Sequence, residues 1–298
     1  MRRVIVKQTC GLGNQLFQYA AGRYYAKKHR ASLCVATELP DRQFSSGGVP
    51  RPVMLQKYAV AAELRPVNYI EENVILSRSP RHSLLKRAYR LGNRIQVLTE
   101  PRDQWFHTTR FEIPYATRTL YLEGYWQTHH YALDVENELR SEFVLKECQK
   151  GRDAEVARAI GAADNPVSVH LRRGDYHAFS DEAVLPNCYY DRAIAAITER
   201  FGPSMFFVFS DEPAEASAWA RGRSNFVIVD HNDAYSAYED LRLMSQCRHH
   251  VIANSSFSWW GAWLNPEKGK HVIAPARWLG CDTADTHLAP PQWQVLAA

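Results

Sequence analysis

The sequence predicts an α/β protein built from two Rossmann-like domains facing a central cleft, and three observations lead there. Its 298 residues exceed one average domain. It opens as strand, glycine-bearing turn, helix and strand. Beyond residue 165, short apolar runs alternate with helix-length amphipathic segments, the pattern of a parallel sheet covered on both faces. A first domain over 1–150 and a second over 151–298 follow, divided near Gly151-Arg152-Asp153, with the C-terminal tail free to pack back on the first domain.

Arg3 to Lys7 is the opening strand, and Gly11-Leu12-Gly13-Asn14 turns into a helix with Leu16, Phe17, Ala20, Ala21, Tyr24 and Tyr25 on helical spacing. Ser32 to Ala36 is the second strand. Residues 37–117 lack a clear period, because Gly47-Gly48 and several prolines interrupt short apolar runs; a basic helix-like stretch covers 82–94. Order returns with a strand at Thr119 to Glu123, a loop at Gly124-Tyr125-Trp126-Gln127 and a helix over His129 to Phe143. The second half predicts strands at Val167 to His170, Met205 to Ser210, Phe226 to Val229, His250 to Ala253 and His271 to Ala274. Helices at Tyr189 to Phe201, Pro213 to Arg221, Tyr235 to Cys247 and Phe257 to Leu264 separate them.

A 46% hydrophobic and 12% aromatic composition supports a buried core and excludes a disordered chain. The net charge of +4 falls short of a nucleic-acid or membrane-surface protein, so no nucleic-acid partner is expected. Six scattered cysteines with no Cys-x-x-Cys pair and no zinc spacing predict buried free thiols in a reducing compartment. The apolar run Val4 to Val6 is too short for a signal-peptide core, and no run of about 18 apolar residues occurs. A soluble, cytoplasmic protein is expected, with peripheral contact at the inner membrane left open.

Ligands of an open parallel sheet sit outside the carboxyl ends of its strands, and three of those ends are chemically loaded. The first reads His170-Leu171-Arg172-Arg173-Gly174-Asp175-Tyr176, where adjacent guanidinium groups suit a diphosphate. One arginine could instead pair with Asp175 or Asp211 to hold the loop, and Asp175 reads as an orienter. His170 reads as a positioned hydrogen-bonding group, since no second ligand stands at metal spacing. Asp211 and Glu212 could meet a base or sugar, or equally cap the helix entered at Pro213. Asn254-Ser255-Ser256 lies where a strand becomes a helix and suits an anion, the alternative being simple N-capping. Phe257, Trp260 and Leu264 fall on helical spacing as core rather than as a sugar platform.

In the first half, Gly11-Leu12-Gly13-Asn14-Gln15 ends a strand and opens a helix. As a dinucleotide fingerprint it lacks the third glycine, replaced by Leu16, and it lacks the Lys-Ser/Thr ending of a P-loop. No Asp-x-Asp occurs, so no metal is expected at the site and leaving-group charge falls to arginines and helix N-termini.

Taken in order, Gly11 to Ala20, His170 to Tyr176, Phe209 to Glu212 and Ala253 to Leu264 resemble the bacterial α-1,2-fucosyltransferases of glycosyltransferase family 11, as does Gly124-Tyr125-Trp126-Gln127. The resemblance implies a GT-B fold, GDP-β-L-fucose as donor and a β-galactoside as acceptor. It further implies inverting, metal-independent transfer to the 2-hydroxyl, with no cofactor. Bacterial relatives lead to an O-antigen or other lipid-linked glycan as acceptor.

By that resemblance, His170, Arg172, Arg173 and Asp175 contact the donor nucleotide, and Asp211 or Glu212 faces guanine or ribose. Ser255 and Ser256 face the phosphates, with Asn254 and Phe257 beside them. The second domain is then the donor side. Gly11, Gly13, Asn14, Gln15 and Gln127 belong to the first, acceptor-side domain. Arg172 and Arg173 would stabilise departing GDP. Asp175, Asp181, Glu182 and Glu123 are the carboxylates available as a base. A fucosyltransferase of other linkage is one alternative. A nucleotide-sugar epimerase is disfavoured by the missing glycine and absent Tyr-x-x-x-Lys. A non-catalytic carbohydrate-binding protein would stack sugar on Trp259, Trp260 and Trp263.

Overall fold

In a computed structural model of the chain, the described residues are 2–37, 51–76, 83–101, 104–108, 110–174, 176, 184–279 and 281–297. The chain divides into two units. The first comprises the described residues from 2 to 146, the second those from 147 to 297.

The first unit is built on five parallel strands: β1 (Arg3–Gln8), β2 (Ser32–Thr37), β3 (Glu63–Pro66), β4 (Ile95–Thr99) and β5 (Thr119–Glu123), in the order β3-β2-β1-β5-β4. β1 lies in the middle, pairing Val4 with Leu33 on one side and Leu120 on the other. Its consecutive Val4, Ile5 and Val6 are all buried, which is why it reads as an unbroken apolar run. Helix α1 (Leu12–His29) follows at once and ends where Arg30 turns left-handed at φ 50° and returns its N–H to Ala26 and Lys27. Lys27, Lys28 and His29 in its last turn complement the helix dipole.

The stretch that lacked a sequence period supplies the two outer strands β3 and β4 together with helix α2 (Ser83–Gly92). β3 and β4 are short and mostly half-exposed, and Glu63, Arg65 and Gln96 interrupt their apolar residues. The single helix expected over His129 to Phe143 is two, α3 (His129–Asp134) and α4 (Glu136–Glu142). They are broken at Val135, whose φ of −128° and ψ of 30° are not helical, and Thr128 caps α3 by accepting the His130 N–H.

The second unit opens with α5 (Gly151–Ala162), so the Gly151–Asp153 segment read as a boundary is the first turn of a helix. Then follow β6 (Pro166–Leu171), α6 (Asn187–Phe201), β7 (Met205–Ser210), α7 (Pro213–Ala220), β8 (Phe226–Val229), α8 (Ala237–Gln246), β9 (His249–Val251), α9 (Ser256–Leu264) and β10 (Val272–Pro275). A short antiparallel pair, β11 (Arg277–Trp278) and β12 (Cys281–Asp282), precedes β13 (Gln294–Leu296).

The tail does not leave this unit, because β13 pairs in parallel with β10. The resulting sheet runs β13-β10-β9-β6-β7-β8. Counted from β6, this is the doubly wound order 3-2-1-4-5-6, whose direction of winding reverses between β6 and β9. Val167, Val169, Leu171, Tyr189, Ile197, Phe206 and Val208 fill one face of it.

Cys34 and Cys247 are buried as expected, whereas Cys148, Cys188 and Cys281 are exposed because they lie on loops, a helix rim and an edge pair. Among the described residues no helix is long and apolar enough to cross a membrane.

Candidate active site

The reversal between β6 and β9 brings two loops together: the one leaving β6 at Arg172 and the one between β9 and α9. Tyr176 ties them, its hydroxyl donating to the Asn254 carbonyl at 2.9 Å while its N–H returns to the Arg173 carbonyl. Tyr176 had no role in the sequence reading beyond its place in the motif.

His170, the penultimate residue of β6, lies deep in the unit with its ring 5.7 Å from that of Phe257. Burial, and then the positive charge of Arg172, push its imidazole down to about 3, so it is neutral at working pH. Its Nδ1 is buried and has no partner among the described residues. A buried ring nitrogen of this kind calls for a ligand or a neighbour to fill it.

The two arginines part company. Arg172 Nη1 lies 3.0 Å from Asp211 Oδ2 with its guanidinium carbon 5.2 Å above the Tyr176 ring, and its side chain is partly exposed. Arg173 turns the other way and is buried. Its guanidinium donates to the Leu185 carbonyl and to Asn187 Oδ1, and its Nε lies 3.5 Å from Glu215. Those acceptors begin α6 and α7, so Arg173 locks the loop to the body of the unit. Of the two guanidinium groups expected to clamp a diphosphate, Arg172 is the more exposed and Arg173 is the one taken up by contacts inside the unit.

Asp211, just past β7, neither caps α7 nor stands apart. It receives Arg172 and also the Arg173 backbone N–H, at 2.9 Å to Oδ1. Gly174 is required by this approach, since a Cβ there would stand 2.5 Å from Asp211 Oδ2. Glu212 is the exposed N-cap residue of α7, and its side chain makes no capping bond. Asp175, Asp181 and Glu182 lie outside the described residues.

Ser255 caps α9, accepting the Phe257 N–H at 3.3 Å, so the capping alternative holds for that hydroxyl. Asn254 is buried and Ser256 is half-exposed at the first helical position. Trp259 and Trp260 are fully buried and Trp263 nearly so. None offers a ring face to a glycan, as the core reading of this helix requires.

In the first unit the loops after the adjacent strands β1 and β5 meet. Both hold non-glycine residues left-handed, Cys10 at φ 64° and Trp126 at φ 57°, conformations that cost a bulky residue about 1–3 kcal/mol. Glu100 holds the second, accepting the Tyr125 N–H at 2.6 Å and the Trp126 N–H at 3.0 Å; burial raises its carboxyl pKa. Gln127 Nε2 donates to Asn14 Oδ1 at 2.7 Å, and Gln18 bridges Thr9 to the Gly124 carbonyl. Gln15 is buried as a brace, donating to the Cys10 and Pro52 carbonyls and accepting the Met54 N–H. Gly11 is the N-cap position of α1 and Gly13 lies buried in its first turn. Glu123 lies 3.8 Å from Lys7 at the end of β5. No sequence signal marked Glu100, which falls in the unpatterned stretch.

The model of the family described as glycosyl transferase family 11 matches residues 61–287, about three quarters of the chain. The chain belongs to glycosyl transferase family 11. It is therefore a glycosyltransferase. Two Escherichia coli proteins are similar along nearly their whole lengths: the O-antigen biosynthesis glycosyltransferase WbnK, 27% identical with 90% of this chain and 92% of the relative covered, and the alpha-1,2-colitosyltransferase, 28% identical with 94% and 93% covered. Among solved structures, the fucosyltransferase NodZ from Bradyrhizobium superposes with a TM-score of 0.51 at 13% identity, covering 89% of this chain and 93% of that one. It has also been solved soaked with GDP-fucose, with a TM-score of 0.52. The fold of this family 11 glycosyltransferase is of GT-B type, with two parallel α/β units. Among its described residues no three His, Cys, Asp or Glu side chains converge as a metal site.

Proposed function

We propose that this glycosyltransferase moves L-fucose from GDP-β-L-fucose to the 2-hydroxyl of a terminal β-galactoside, with inversion and without a metal, in the synthesis of an O-antigen or related surface glycan. The observation that carries the reading is the switch point of the second unit. There a partly exposed Arg172 braced by Asp211, a neutral His170 whose buried Nδ1 has no partner among the described residues, and the N-terminus of α9 share one strand-end region. This set suits a nucleoside diphosphate: guanidinium for the phosphates, helix N–H groups for a second oxygen, imidazole for a hydroxyl or phosphate oxygen. The names of the relatives, an O-antigen glycosyltransferase and an α-1,2-transferase, support acceptor class and linkage; the fold neighbour soaked with GDP-fucose supports the donor.

Arg172 is the catalytic residue in this reading. Charge on GDP grows as the C1–O bond of the donor loosens, and a preoriented guanidinium stabilises that charge more in the transition state than in the ground state. Arg173 acts by positioning Arg172 through the loop. Asp175, among the four carboxylates weighed as a base, stays a proposal beside it. The first unit, with Asn14 and Gln127 joined at the strand ends, is assigned to the acceptor. A colitosyl donor is the second reading, favoured by the name of the 28% identical relative.

The test is GDP release from GDP-fucose with and without lactose or a β1,3-linked galactoside, in EDTA, with product linkage read by NMR. EDTA-resistant, acceptor-dependent release giving an α-1,2 product is expected. Tight GDP binding with no turnover on any galactoside would remove the acceptor assignment, and absence of GDP binding would remove the donor site.

A further inference from the structure

Helix α2 is amphipathic with its sides reversed. A surface helix ordinarily turns its apolar residues to the body of the protein and its charges to water. Here Leu84 and Leu91 are 80% and 69% exposed, while Lys86 is buried and Arg90 donates to the Ile75 carbonyl of the adjoining turn. The neighbouring surface repeats the theme. Tyr69 and Ile70 lie on the segment against which α2 packs, and Ile70 and Tyr89 line one cavity of about 610 Å³ together with Arg118.

Tyr115 is 92% exposed, stacked under the Arg2 guanidinium at 4.9 Å, and its loop is tied to the end of α2 by the bond from the Arg118 N–H to the Arg94 carbonyl. Of the eleven large hydrophobic residues exposed among the described residues, six lie in this region between Tyr69 and Tyr115. Isolated exposed apolar residues need no explanation, but a contiguous set does.

Charge selects the occupant. From Val74 to Thr99 the sequence has six Lys or Arg and no Asp or Glu, in a chain whose net charge is only +4. Arg87, Arg94 and Arg118 are exposed beside the apolar residues. The two carboxylates that line this cavity are already engaged, Glu71 by Arg65 and Glu63 by Arg3. Exposed leucines and tyrosines ringed by uncompensated cations match a bilayer that offers hydrocarbon below an anionic headgroup layer.

We infer that the α2 face of the first unit docks this enzyme on an anionic lipid surface. The inference is independent of the donor and linkage proposed above. Docking would hold the enzyme where lipid-linked glycans are, with Leu84 and Leu91 inserted and Arg87, Arg94 and Arg118 at headgroup level.

The experiment is flotation of the full chain with vesicles of phosphatidylglycerol and phosphatidylcholine, against vesicles of phosphatidylcholine alone. Two double variants are compared, Leu84→Ser with Leu91→Ser and Arg87→Glu with Arg94→Glu. Tyr235→Ser, at an exposed tyrosine of the second unit, is the control. Binding to the anionic vesicles only is expected, weakened at least about tenfold by each double variant and by high salt but not by the control. Unchanged melting and GDP affinity in the variants shows that they fold. Absence of vesicle binding, equal binding to neutral vesicles, or binding indifferent to both double variants would overturn the inference. So would a concentration-dependent dimer, seen by sedimentation and abolished by the leucine variant, which would assign the face to a second copy.

Discussion

Asp211 holds two consecutive residues by two different groups: its Oδ2 meets the Arg172 guanidinium at 3.0 Å, and its Oδ1 accepts the Arg173 backbone N–H at 2.9 Å. The carboxylate therefore sets both the path of the loop and the aim of the more exposed arginine. Asp211→Asn keeps the shape but gives up the charge-assisted bond, a loss of about 1.5–3 kcal/mol. A fall in kcat/KM for GDP-fucose of about 10–100-fold is expected, with kcat falling as well as donor affinity. A variant with normal kcat and only a raised KM would reduce Asp211 to a ground-state contact.

Arg172→Ala and Arg173→Ala should separate cleanly although the residues are adjacent. Arg172→Ala is expected to cost less stability than Arg173→Ala, because its pair with Asp211 is partly exposed, and to lower kcat. Arg173→Ala strips the Leu185 carbonyl and Asn187 of a buried donor and should cost about 2–3 kcal/mol of stability. Denaturant unfolding beside initial-rate kinetics distinguishes them; equal effects on both quantities for both variants would contradict the assignment.

Gly124→Ala tests the first unit. The added Cβ would stand 2.4 Å from Glu100 Cβ and 2.8 Å from its Oε2. Glu100 would have to release the Tyr125 and Trp126 N–H groups, and the left-handed Trp126 would lose its support. A drop of about 2–4 kcal/mol in stability is expected from the combined overpacking and broken bonds. Raised acceptor KM with unchanged GDP affinity would follow from the assignment of these loops to the acceptor, and is read by kinetics at saturating donor.

Acid should destabilise the enzyme through its buried histidines. Burial lowers His170 to about 3 and His249 to about 4, the charge of neighbouring arginines adding to each. The unfolded chain takes up these protons below about pH 6.5 and the native state does not. Their contribution is therefore complete above pH 6.5 and is lost as pH falls, by about 1.4 kcal/mol per pH unit for each group between 6 and 4. Asp240 works in the opposite sense. Burial raises it to about 7, so its native proton favours folding at low pH, and that advantage is lost as pH rises from about 4 through 7. Unfolding free energies measured from pH 4 to 8 should rise on the acid side, and Asp240→Asn should remove the opposing decline.

Much of the second unit is legible because its strands are near-continuous apolar runs, buried at β6 and β7 and half-buried at the edge strand β8. Met205–Ser210 and Phe226–Val229 are read from the sequence to the residue, since a run of apolar residues between polar helices admits no other element. The outer strands β3 and β4 of the first unit escape, because they are half-exposed and Glu63, Arg65 and Gln96 interrupt their apolar residues. The break at Val135 escapes as well, because the buried Ala132, Val135, Leu139 and Phe143 keep helical spacing across it.

The sequence by itself determined the class of fold, the family and the positions of the strand-end motifs, because those follow from local pattern and from the order of residues along the chain. The division of labour within the motifs was decided only by tertiary structure. Arg172 and Arg173 are chemically identical, and which one is left more exposed depends on the acceptors that β7, α6 and α7 bring from up to 42 residues away. The same holds for Ser255, spent on capping α9, for Gln15, spent on bracing its loop, and for Glu100, which gains a role only when β4 is laid beside β5. Side-chain chemistry is written in the chain, but the partner that occupies or releases each group is supplied by residues distant in sequence.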